Sequence, residues 1–202
     1  MNYSNFLDGF GRVTKWEIDS ESNMIAYQSN LIHSNQYNES IGGGDLKIVR
    51  HITQEPTQPK MKMGTFRIEN MDNTDVSLYQ IQGEDSSFVT VTDLAKANVV
   101  DLNTLATLGP MPYDDDCEEC KDAVFSGSHN GEWIDTETND IYYVNWLGKK
   151  SRGKFTIYIY MMHPRTHRRK IVGSITLDWQ PYSIHSIAVT GDYATLVLGH
   201  VE

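Results

Sequence analysis

The sequence predicts an all-β fold assembled from many short antiparallel strands, of propeller or sandwich type. Three observations carry this expectation. Segments rich in β-branched and aromatic residues recur at 141–146, 154–160, 171–177 and 194–198, and such side chains fit a pleated, half-buried surface. Polar turns separate them at fairly even spacing, at 19–23, 82–85, 135–140 and 191–192, where Asp, Asn, Ser and Gly bend the chain. Helical periodicity is nearly absent: only 93–97 looks helical, and so short a run does not hold as a helix without tertiary help.

Taken in order, further strands are expected at 12–18, 24–31, 64–68, 76–81, 87–92 and 97–101. The stretch 39–62, with Gly42-Gly43-Gly44, Pro56 and Pro59, reads as a loop-rich insertion on the surface. Two "Asp-x-x-Thr" turns, at 101–105 and 135–139, resemble each other as a repeated hairpin element. No boundary divides the chain, so residues 1–202 are expected to form a single domain.

Composition narrows the function classes. A hydrophobic content of 39% with 22% charged residues is that of a globular protein, and no apolar run approaches the ~20 residues that span a bilayer. Met1-Asn2-Tyr3-Ser4-Asn5 shows neither a basic nor an apolar leader segment, so a cytoplasmic location is expected. The formal charge of −10 opposes binding to nucleic acid. The basic positions that do cluster, Lys149, Lys150, Arg152 and Lys154, then Arg165 and Arg168 to Lys170, read as solvated hairpin ends. The only cysteines, Cys117 and Cys120, lie in an acidic stretch that makes no disulfide-rich framework and lacks the further ligands of a zinc site. Carboxylates on both sides are expected to raise the thiol pKa and leave an unreactive, solvated loop. Gly42-Gly43-Gly44 lacks the Lys-Ser/Thr of a phosphate loop, and no Gly-x-Ser-x-Gly elbow occurs.

Two histidines stand out. His185 lies in an alternating segment, 181–193, read as a half-buried strand, and His129 follows Ser126-Gly127-Ser128 ahead of another strand, fifty-six residues upstream. That interval fits roughly one blade of about 40–50 residues plus a loop, and two imidazoles on successive units suggest a shared metal. His163-Pro164 precedes a charged turn and is assigned to a loop, and His33, His51, His167 and His200 have no partner pattern.

Several segments in order resemble the carotenoid cleavage oxygenase family, the iron enzymes that include carotene dioxygenases and retinoid isomerases. They are Phe6-Leu7-Asp8-Gly9-Phe10-Gly11, a strand at 27–31 followed by Ser34-Asn35-Gln36-Tyr37, Asp72-Asn73-Thr74-Asp75-Val76, Gly83-Glu84-Asp85, Thr92-Asp93, and 101–108. Tyr182 to Tyr193 follows the family's Tyr-x-His-Ser-Phe strand, which carries one iron ligand, and His129 occupies the place of the earlier Ala-His-Pro segment, with Asn130 where that motif has proline.

The resemblance implies a partial β-propeller, about three to four blades of a seven-bladed ring, and a chain that is a fragment of the usual length, holding two of four iron-ligand histidines. It implies His129 and His185 as ligands of ferrous iron, Fe(2+), and Asp93 where the family has a glutamate that holds a ligand's other ring N–H. Iron(II) chemistry with dioxygen suits neutral nitrogen ligands and open coordination positions. The implied reaction is oxidative cleavage of a polyene double bond, with a carotenoid or retinoid and O2 as partners; isomerisation of a retinyl ester is the family's other chemistry. Peripheral membrane contact is weakly supported, because 41–63 is short and polar. The alternative is a non-catalytic lipid-binding or protein-interaction propeller that has lost its metal site. Trp146, Trp179 and Tyr182 could line apolar space, although core packing is the expectation for each.

Overall fold

The computed structural model of the chain describes residues 10–41, 72–114, 117–181 and 184–199. The expected strand at 64–68, nearly all of the expected loop at 39–62, and Tyr182 lie outside the described residues.

Among the described residues, thirteen strands and two short helices follow one another as β1 (Arg12–Asp19), β2 (Met24–Leu31), α1 (Asn35–Ile41), β3 (Ser77–Tyr79), β4 (Ser87–Val91), β5 (Ala97–Asp101), β6 (Thr107–Pro110), α2 (Glu118–Lys121), β7 (Phe125–Ser126), β8 (Gly131–Ile134), β9 (Ile141–Ser151), β10 (Lys154–Met162), β11 (Arg169–Leu177), β12 (Ile187–Val189) and β13 (Ala194–Leu196). They form four antiparallel sheets in chain order: the hairpin β1-β2, the meander β3-β4-β5-β6, a larger sheet β11-β10-β9 whose far edge is shared by β7 and β8, and the hairpin β12-β13.

Side-chain alternation explains how the sheets stack. Successive residues of a strand point to opposite faces, so a strand buried on both faces packs against two neighbours. On β4, Phe88 meets Val13 and Ile32 of the first hairpin together with Val100 and Leu105, while Val89 and Val91 meet Tyr143, Leu147, Tyr160 and Met162 of the large sheet. On β9, Leu147 faces the meander, whereas Trp146 faces Ile184, Leu196 and Leu198 of the last unit. Three apolar clusters thus join four sheets into a stack in chain order, and the core-packing expectation for Trp146 holds. The outer faces at the two ends are uncovered: Trp16 and Ile18 pair across the hairpin with Tyr27 and Ile25, with Ile18 77% exposed, and Val197 at the other end is 82% exposed.

Among the described residues one turn is used four times. Oδ1 of Asp19 accepts from the Glu21 and Ser22 N–H groups, Oδ1 of Asp101 from Asn103 and Thr104, and Oδ1 of Asp135 from Glu137 and Thr138. In the fourth copy Nδ1 of His163 takes the carboxylate's place and accepts from Arg165 at 3.2 Å. In each, the fifth residue is left-handed, at Asn23 (φ 53°), Leu105 (55°), Asn139 (60°) and His167 (55°). The sequence showed two of these copies; Asp19 has Ser22 in the Thr position, and His163 hides the last.

One sequence expectation is met here and one is corrected. Residues 93–97 do not hold as a helix, as their length led us to expect, and their main chain bonds outward: Ala95 N–H donates to Val124 O and Ser126 N–H to Asp93 O. The acidic loop contains α2, and its cysteines are not free thiols: Cys117 and Cys120 are joined as a disulfide, one helical turn bringing positions i and i+3 together, with Cys120 buried in the core. Helix α1 was not foreseen either. It forms because the Asp72 carboxylate, from the Asp-Asn-Thr motif, accepts from the N–H groups of Asn35 and Gln36 at 2.8 and 2.9 Å, where a helix start leaves donors unpaired. Among the described residues no helix is long and apolar enough to cross a membrane.

The stack predicts unequal sensitivity. Ile157→Ala, at a fully buried position, should lower unfolding free energy by about 2–5 kcal/mol, whereas Ile18→Ser should change it by less than about 0.5 kcal/mol, as measured by urea denaturation. The turn predicts a pH effect. Hydrogen bonds from Thr104 hold the Asp101 carboxyl below its ordinary value, so its contribution is full above about pH 4 and lost as pH falls through the lower folded value. Asp101→Asn should therefore lower the melting temperature at pH 7 and converge on the parent protein in strong acid.

Candidate metal centre

The site starts from a break in a strand. β7 pairs with β9 at Phe125↔Gly148 and Ser126↔Leu147, and β8 resumes on the same edge at Gly131↔Val144. Residues 127–130 leave the sheet between them, and Asn145 fills the gap. Its buried side-chain amide donates to Gly127 O at 2.8 Å and to Asn130 Oδ1, while its carbonyl accepts from the Trp146 N–H at 2.8 Å. Gly127 is required here, since a Cβ would lie 2.3 Å from Asn145 Oδ1. The break presents His129, and Asn130, standing where the resembling motif has proline, anchors it.

His185 arrives from the next sheet. Contrary to the sequence expectation it is not within a strand: it precedes β12 by two residues, because its carbonyl is taken by the loop opposite. The N–H groups of Ser128 and His129 both donate to His185 O at 3.0 Å, and His129 pairs with Ser186 in an isolated parallel bridge. This approach depends on Gly131, where a Cβ would stand 2.2 Å from Val189 Cγ2.

Asp93 comes from a third sheet, two residues beyond β4, and is fixed by the Ser126 N–H on its carbonyl at 3.0 Å. Its Oδ1 lies 2.9 Å from His185 Nδ1 and accepts from Ser128 Oγ at 2.7 Å. Ser128 Oγ is also 3.4 Å from His129 Nδ1. The structure therefore brings all three sequence-selected residues, His129, His185 and Asp93, into one network at the meeting of three sheets. The His185 side chain is 56% exposed and that of Asp93 41%, so the ring is open to an incoming ligand. With Nδ1 donating to the carboxylate, the Nε2 lone pair of His185 is left as its donor atom. Nearby, loss of hydration and the charge of Asp93 push the Asp75 carboxyl above its ordinary value. Among the described residues no group of three or more His, Cys, Asp or Glu is arranged to hold a metal.

Sequence reasoning missed Ser128, Asn145, Gly127 and Gly131. The signal at Asn145 was a polar residue inside an otherwise apolar strand run, where a buried amide needs partners.

A stack of antiparallel sheets with histidine-bearing loops at its junctions defines a propeller-type β protein. The chain belongs to the carotenoid oxygenases, matching the family described as retinal pigment epithelial membrane protein over residues 1–202. Its fold is similar to that of an apocarotenoid oxygenase from Synechocystis, solved as a glutamate-to-aspartate mutant, with a TM-score of 0.71 and 18% identity over 94% of this chain. The chain spans 38% of the length of that structure's chain. No curated protein sequence matches.

The close approach of β8 to β12 is directly testable. Gly131→Ala should lower the melting temperature by forcing the His129 and His185 segments apart, and adding Val189→Ala should recover most of the loss.

Proposed function

We propose that this chain contributes His129 and His185 to the ferrous iron site of an oxygenase that cleaves a polyene double bond of a carotenoid or retinoid with O2. The observation that carries it is the 2.9 Å contact between Asp93 and His185 Nδ1, which orients the ring and leaves Nε2 for a metal. Carboxylate–histidine pairs of this kind accompany metal ligation generally. Family membership supports the substrate class. Iron would supply the redox chemistry with dioxygen; the residues of this chain present two imidazoles, orient the His185 ring through Asp93, and hold the loop that carries His129 by the Asn145 clamp. Residues 1–202 act as one unit in this account, since the three sheets that meet at the site are joined by shared apolar clusters.

A second reading is a lipid-binding or interaction propeller without catalysis. It is favoured by the His129 segment, where Asn130 stands in place of the motif's proline. Anaerobic calorimetric titration of the 202-residue protein with Fe(II) separates the two. The oxygenase proposal expects a saturable isotherm that weakens by about tenfold or more in His185→Ala and likewise in His129→Ala. An isotherm indistinguishable from that of the double variant would leave the non-catalytic reading.

A further inference from the structure

We infer that Ser128 is a positioning residue that ties both imidazoles to the single Asp93 carboxylate and sets the tautomer of each. The inference rests on the proposed use of His129 and His185 as ligands, but its chemistry is visible without metal. Ser128 is completely buried, and its hydroxyl has one proton. Three acceptors lie within reach: Asp93 Oδ1 at 2.7 Å, His185 O at 3.3 Å and His129 Nδ1 at 3.4 Å. The carboxylate wins, because a charge-assisted bond is shorter and stronger than a neutral one and because His185 O already accepts two main-chain N–H groups.

With the serine proton committed to Asp93, the hydroxyl can only accept from His129. His129 then carries its proton on Nδ1, and His185 does the same toward Asp93. Hydrogen-bond polarity runs inward from both rings to one carboxylate, directly from His185 and through the hydroxyl from His129. Nε2 is then the ring atom left with a lone pair on each histidine. Ser128 also gives the partly exposed Asp93 carboxylate a second anchor beside the His185 ring.

The test is 15N NMR of imidazole tautomers in the metal-free 202-residue protein near pH 8, above the ordinary histidine pKa of about 6.5. The parent protein should show His129 and His185 both as the Nδ1–H form. Ser128→Ala should move His129 to the tautomer mixture of a free imidazole and partly release His185, and Ser128→Thr, which keeps the hydroxyl, should restore both. Finding His129 as the Nε2–H form in the parent protein overturns the inference whether or not any variant folds, as does an unchanged His129 spectrum in Ser128→Ala. A parallel Fe(II) titration keeps the two proposals apart. Tautomers that respond as expected in a protein without iron affinity support the serine's role and sink the oxygenase proposal, whereas iron binding with unresponsive tautomers does the reverse.

Discussion

Burial of both faces of β4 and of β9 is the constraint from which the rest of the structure follows. Each strand alternates apolar side chains into two separate clusters, so neither sheet is stable with a single neighbour. Because the sheets stack in chain order, the segment leaving β4, the interrupted edge strand on β9 and the segment entering β12 come together. Asp93, His129 and His185 sit on those three segments. The site is thus a by-product of how sheets must pack, completed by a few short-range polar contacts.

Those contacts are placed where the sheet is imperfect. A continuous edge strand beside β9 would have used the main-chain groups of residues 127–130 in a ladder and left no loop to carry an imidazole. Asn145 substitutes for the missing ladder bonds from within the sheet, which satisfies buried polar groups that would otherwise destabilise the break. Glycines at 127 and 131 permit the tight approach on either side. The Asp93 carboxylate then meets one ring directly and the other through the Ser128 hydroxyl.

Much of the strand pattern was legible, and for a physical reason. β2 and β5 begin and end at the expected residues, an Asp-initiated turn standing before β2 and after β5. The elements that were missed owe their existence to distant partners. Helix α1 needs Asp72 from another segment, and the disulfide in the acidic segment becomes intelligible once α2 is turned by the core beneath it. The candidate site was legible as three residue types in the right order, from resemblance. Its wiring was not, since a serine between glycine and histidine has no sequence signature as a hydrogen-bond relay. The assignment of His185 to a strand failed because its carbonyl serves the opposite loop rather than a ladder.

The central claim is that two imidazoles from neighbouring sheets reach one metal ion through Nε2. X-ray absorption at the iron edge of the Fe(II)-loaded 202-residue protein tests it most directly, because multiple scattering from imidazole rings reports how many are bound. The account predicts two histidine rings per iron, the remaining positions being filled by oxygen donors that give no ring scattering; a spectrum with one ring, or with none, would contradict it.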